Sequence, residues 1–128
     1  MTAISDSSPL ILLATIGRLD LLHSVFREIV IPPAVRREVT IAGAGRPGAA
    51  GAAAAGWISV RAPTNLPAGA RQFGPIGAGE TEVVALALKL GRGLPVLLDD
   101  RAGRRVAEHQ NLLVIGSGGV LIRAQESI

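Results

Sequence analysis

The chain has 128 residues, a formal net charge of +3 and 48% apolar against 18% charged residues, which suits one domain with one core and excludes intrinsic disorder. It has no cysteine, two histidines (His23 and His109) and three aromatic side chains (Phe26, Trp57 and Phe73). Disulfide scaffolds, cysteine zinc sites, thiol nucleophiles, multi-histidine metal centres and base-stacking platforms are thereby excluded.

Residues 3–5 predict a short strand ending at Asp6. Ser7 and Ser8 read as a helix cap, with Pro9 at the first position of a helix over 9–16. Gly17 stops it, and a second short helix carries Leu19, Leu21, Leu22, Val25 and Phe26. Residues 28–31 form a β-branched strand closed by Pro32 and Pro33, which open a helix bearing Val35, Glu38 and Val39. From 42 to 56 the chain is nearly all alanine and glycine, leaving both a helix continuation and a loop excursion open. A strand over 57–60 and a loop over 63–79 follow. A helix over 80–90 places Val83, Val84, Ala87, Leu88 and Leu90 on overlapping apolar positions. The last elements are a strand over 95–98 ending in Asp99 and Asp100, a helix over 101–110, a strand over 112–115 and a helix over 118–125. Strands alternating with helices predict one α/β domain over 1–128 with a mostly parallel sheet, and no internal repeat is visible.

Chemistry must then come from carboxylates, arginines, hydroxyls and backbone. Two strands end in acid, at Asp6 and at Asp99-Asp100. In open parallel sheets the ligand crevice lies outside the carboxyl ends of the strands. Carboxylates meeting there from distant positions could hold Mg²⁺ or Mn²⁺, which take oxygen ligands. On position alone the helix-cap reading of an aspartate at a strand end is the commoner one, and Glu80 in a first helical turn is an ordinary dipole partner. No G-x-S-x-G elbow surrounds Ser7, Ser8 or Ser117, and His23 and His109 read as packing or capping residues. Gly77-Ala78-Gly79 only half matches a dinucleotide fingerprint. Twelve of the thirteen basic residues are arginine, and pairs such as Arg36-Arg37 and Arg104-Arg105 read as solvated helix faces. Residues 1–8 lack a secretory pattern, and the apolar run 9–16 is far shorter than the ~20 residues of a membrane span, so the expected location is cytoplasmic.

The stretch ISDSSPLILLATIGRLDLLHSVFREIVIPPAVRREV resembles the N-terminal half of PIN-domain proteins, in the VapC-like branch. GWISV, GAGETEVVALAL and LLDDRAGRRVAEHQNLLVIGSGGVLIRAQ resemble the same branch in the same order. The resemblance implies a three-layer, Rossmann-like α/β/α PIN domain and a Mg²⁺- or Mn²⁺-dependent endoribonuclease, the toxin of a toxin–antitoxin pair. RNA is then the substrate, a cognate antitoxin the partner and a homodimer the expected assembly. The family's acids fall on Asp6, Glu38, Glu80 and the Asp99-Asp100 pair, which stand as catalytic and metal-binding candidates. Glu82 ranks below Glu80 because it lies on a different helix face. Ser7 and Ser117 are candidates for contact with substrate.

The family usually continues past GVLIRA with further helical sequence, whereas here Ser127 and Ile128 end the chain, so the usual C-terminal extension is expected to be missing. In this reading, packed carboxylates repel one another, divalent ions relieve the repulsion, and activated water cuts the phosphodiester. The alternatives are a catalytically silent PIN-like module that binds RNA or protein, and a structure-specific DNA nuclease.

Overall fold

A computed structural model describes residues 1–42, 55–63 and 73–126. In chain order the elements are β1 (Thr2–Ser5), α1 (Ser7–Thr15), α2 (Leu19–Val25), β2 (Glu28–Ile31), α3 (Pro33–Ala42), β3 (Ile58–Val60), α4 (Ala78–Leu90), β4 (Val96–Leu97), α5 (Arg101–His109), β5 (Val114–Ile115) and α6 (Ser117–Glu126). The five strands form one sheet in the order β3-β2-β1-β4-β5, and every pairing is parallel. Ile4 stands between Val30 of β2 and Val96 of β4, so β1 is the central strand.

Successive strand residues point to opposite faces of a sheet. Ala3, Ile4 and Ser5 of β1, Ile29, Val30 and Ile31 of β2, and both residues of β4 are buried, so both faces are covered and the architecture is three-layered. The α/β Rossmann-type fold implied by the sequence is the fold observed. Leu10 and Leu13 of α1, Leu22 and Phe26 around α2, and Val83 and Leu86 of α4 join these strands in one core. Among the described residues no helix is long and apolar enough to cross a membrane.

The chain reverses its direction of travel across the sheet at β1. Strands β2 and β3 are laid down to one side of it, β4 and β5 to the other. Such a switch point opens a crevice at the carboxyl ends of β1 and β4, because the connections leave in opposite directions.

Several boundaries differ from the sequence expectation, among them β5, which covers only Val114–Ile115 of the expected 112–115. Helix α1 begins at Ser7, and Asp6 takes the cap position with extended backbone and no side-chain cap bond. The helix stops where expected: Gly17 has φ +71°, and the N–H groups of Gly17 and Arg18 donate to Ala14 and Leu13 carbonyls at 3.0 and 2.9 Å. Helix α4 starts at Ala78, two residues early, and β4 is confined to Val96–Leu97. Most of the alanine- and glycine-rich tract over 42–56, and residues 64–72 of the expected loop, lie outside the described residues.

Candidate active site

Asp6 follows the last residue of β1, and its N–H donates to the Leu97 carbonyl of β4 at 2.9 Å. The side chain is therefore fixed at the switch point by the ladder beside it. Asp6 is 2% exposed, and its Oδ1 is buried with no hydrogen-bond partner. Glu38 comes from α3 and Glu80 from the first turn of α4. Asp100 caps α5, accepting the Gly103 N–H on Oδ2 at 2.8 Å.

These four acids feel one another. Burial pushes Asp6 from its ordinary 3.8 up to about 7; the Ser7 N–H opposes that rise, and the charges of Glu80, Glu38 and Asp100 add to it. Glu80 is also raised, first by burial and then by Asp100 and Glu38, against the pull of its own backbone N–H. Two glycines leave room for the cluster. A Cβ on Gly79 would stand 2.5 Å from Glu38 Oε1 and 3.2 Å from Asp6 Oδ1, and one on Gly103 would meet Glu80 Cγ at 3.0 Å and Asp100 Oδ2 at 3.5 Å. Side chains at either position would occupy the space the carboxylates use.

A hard divalent cation suits this donor set, which is all oxygen and includes one buried oxygen without a partner. As placed, no three acidic or histidine side chains among the described residues stand close enough to hold one ion. Like charges do not draw together without a counter-charge between them, so the two observations agree.

The family comparison matches residues 2–127 to the PIN domain, DUF3368. The chain belongs to the PIN domain family. PIN domains are in general metal-dependent nucleases that use divalent ions. A PilT N-terminus domain protein from the hyperthermophilic archaeon Sulfolobus solfataricus P2 is similar in structure, with a TM-score of 0.72 and 18% sequence identity, over 98% of this chain and 95% of that one. At that identity the likeness shows the fold. No curated protein matches the chain.

Within this PIN domain the neighbouring aspartates diverge. Asp100 faces the cluster, whereas Asp99 turns to α6, where Oδ1 accepts the Ser117 N–H at 2.7 Å and Oδ2 the Ser117 hydroxyl at 2.5 Å. Sequence alone left that pair undivided. Ser7 and Ser117, expected near substrate, are 7% and 5% exposed. Ser117 is occupied by Asp99, and the Ser7 hydroxyl donates to Glu38 Oε2 at 2.6 Å. Ser7 thus holds one oxygen of Glu38 and leaves Oε1 toward Asp6 and Gly79. His23 stacks on Trp57, with ring centroids 4.6 Å apart. His109 is exposed in the last turn of α5.

The roles of Gly79 and Gly103 escaped the sequence reading. For Gly103 a signal existed: it falls inside the helix expected over 101–110, where glycine is roughly 1 kcal/mol worse than alanine and so calls for a packing reason, whereas Gly79 read as punctuation before its helix.

Proposed function

We propose that this PIN domain is a Mg²⁺- or Mn²⁺-dependent endoribonuclease, the toxin of a toxin–antitoxin pair, with RNA as substrate. The observation that carries the reading is the buried, unpartnered Oδ1 of Asp6 with Glu38, Glu80 and Asp100 around it at the carboxyl edge of the sheet. The toxin role, the antitoxin partner and a homodimeric assembly rest on the likeness of the sequence stretches to the VapC-like branch.

Asp6, Glu38, Glu80 and Asp100 are the residues that would hold the ion, which when bound supplies positive charge for the phosphate and acidifies water. The protein's own part is to keep these carboxylates in place. Asp6 is fixed by the β1–β4 ladder, Glu38 by the Ser7 hydroxyl and Asp100 by its cap bond to Gly103. Asp6 must give up its proton to serve, and with a pKa of about 7 it does so near neutral pH. Substrate phosphates have basic partners on the same edge. Arg36 and Arg37 in the first turns of α3, Arg61 just after β3, and Arg101, Arg104 and Arg105 in the first half of α5 lie on the segments that leave the carboxyl ends of β2, β3 and β4. Arginines so placed position a polyanion without reading its sequence.

The test is purified, antitoxin-free protein incubated with mixed RNAs, and separately with structured DNA, in Mg²⁺, Mn²⁺ or EDTA. The reading expects RNA cleavage that EDTA and Asp6→Asn both abolish. Cutting of DNA alone would favour the DNA-nuclease alternative, and ion-independent binding without cleavage the silent module.

A further inference from the structure

Helix α4 opens with two glutamates, and only Glu80 faces the acid cluster. Glu82 turns to α3. Its Oε1 accepts the backbone N–H of Ala34 at 3.1 Å, its Oε2 stands 3.9 Å from Arg37 Nη2, and its side chain is 19% exposed.

Helix α3 has no cap of its own. It begins at Pro33 behind Pro32, and a proline has neither a side-chain acceptor nor an N–H. Ala34 therefore carries the first backbone donor of the helix, and such a donor has no partner within its own helix. Glu82 supplies that partner from the neighbouring helix and puts a negative charge at the positive end of α3. Glu38 lies four residues beyond Ala34, one turn along the same face. The bond at Ala34 thus fixes the stretch of helix from which Glu38 reaches Ser7 and Asp6.

We infer that Glu82 is a positioning residue: by tying the first turn of α3 to α4 it sets the placement of Glu38 relative to Glu80, and with it the affinity of the acid cluster for a divalent cation. The two glutamates of GETE then divide the work, Glu80 within the cluster and Glu82 holding the helix that brings Glu38 to it. This rests on the metal-site reading above.

Two readouts on the full chain test it: calorimetric titration with Mn²⁺, and amide hydrogen exchange over residues 34–38 without metal. Glu82→Ala removes the acceptor, and Glu82→Gln keeps an acceptor oxygen but loses the charge. The alanine variant should exchange faster in the first turn of α3 and bind Mn²⁺ roughly 10–100-fold more weakly, the usual consequence of losing a group that orients a ligand. The glutamine variant should stay close to wild type in both. In a Glu38→Gln background, Glu82→Ala should weaken binding no further, because its effect runs through Glu38. Should the alanine variant fail to fold, Glu82→Asp, which withdraws the carboxylate by one methylene, replaces it with the same expectation. A lowered melting temperature with unchanged Mn²⁺ affinity would show a merely structural role and overturn the inference alone. A wild-type chain that binds no Mn²⁺ would overturn the metal-site reading, and the inference with it.

Discussion

Replacing Asp6 by asparagine separates the burden of burying this carboxylate from its use. Burial, with Glu80, Glu38 and Asp100 adding to it, raises Asp6 from 3.8 to about 7. A raised acid favours the folded state in its protonated form. Its contribution to stability is complete below about 3.8 and is lost as pH rises through about 7. At pH 8 the folded chain holds an ionised Asp6 that the unfolded chain would solvate freely. At about 1.36 kcal/mol for each factor of ten in proton binding, the penalty is roughly 4 kcal/mol.

Asparagine carries no charge at any pH and escapes that penalty, but it brings an amide N–H₂ to a place where Oδ1 already lacks a partner. An unsatisfied buried donor costs about 1–3 kcal/mol, which leaves a net gain of roughly 1–3 kcal/mol at pH 8. For a domain of this size that is a rise in melting temperature of roughly 3–12 °C. Differential scanning fluorimetry in EDTA measures it, with pH stepped from 5 to 8. The gap between Asp6→Asn and wild type should be widest at pH 8 and should vanish or reverse by pH 5, where the penalty has fallen to roughly 2 kcal/mol and no longer exceeds the cost of the unsatisfied amide. Adding Mn²⁺ at pH 8 should stabilise the wild type by about 2.7 kcal/mol at a hundredfold excess over Kd and leave the variant unmoved. A gap that stays constant with pH would refute the buried, charge-crowded Asp6 on which the site is built.

Three further outcomes follow from the same geometry. Gly79→Ala should change the metal-free melting temperature little, since roughly 1 kcal/mol of helix propensity offsets the displaced Glu38, yet Mn²⁺ titration should find binding weakened at least tenfold, roughly the loss of an outer-shell contact. Asp100→Ala should abolish Mn²⁺ binding, whereas Asp99→Ala should leave binding near wild type and destabilise the fold by about 1–3 kcal/mol through Ser117; denaturant melts and titrations distinguish the two, and matching losses of binding would count against the division. Mn²⁺ affinity should rise roughly tenfold per pH unit on approach to pH 7, because Asp6 must release its proton to bind, and a flat profile between pH 5.5 and 7 would show that Asp6 takes no part.

The fold was legible because its signals are local. Short apolar runs mark β1, β2 and β4, glycine and proline mark the helix ends, and acids sit at the ends of β1 and β4 in the sequence itself. Finer placement depended on partners far along the chain. Asp99 and Asp100 could not be told apart until Ser117, eighteen residues on, was seen to take Asp99. Ser7 reads as a helix cap, yet its hydroxyl goes to Glu38 across 31 residues, and Asp6 takes the cap position without capping. Glu82 meets Ala34 across 48 residues, and nothing near either residue signals it beyond the two prolines that leave α3 uncapped. The glycines of GAGETE read as punctuation before a helix, whereas Gly79 lies inside that helix and marks a close approach to Glu38 and Asp6.

The pattern of local disadvantage argues for the site more strongly than any one acid does. Gly79 and Gly103 each forgo roughly 1 kcal/mol of helix propensity, and an ionised Asp6 at pH 8 opposes folding by roughly 4 kcal/mol. For a domain whose whole stability is about 5–15 kcal/mol, those are large concessions at three positions. They also gather around one cluster. Gly79 clears space for Glu38 and Asp6, Gly103 for the stem of Glu80 and for Leu98, and the carboxylate that loses most is the one the other three surround. Helix propensity alone would favour alanine at 79 and 103, and burial alone a neutral side chain at 6. Alanine at 79 would crowd Glu38 and Asp6, alanine at 103 would crowd Glu80, and a neutral side chain at 6 would remove the carboxylate between them. Sites of function are where folds carry such strain, and here a bound divalent cation would relieve the charge penalty that the metal-free fold bears.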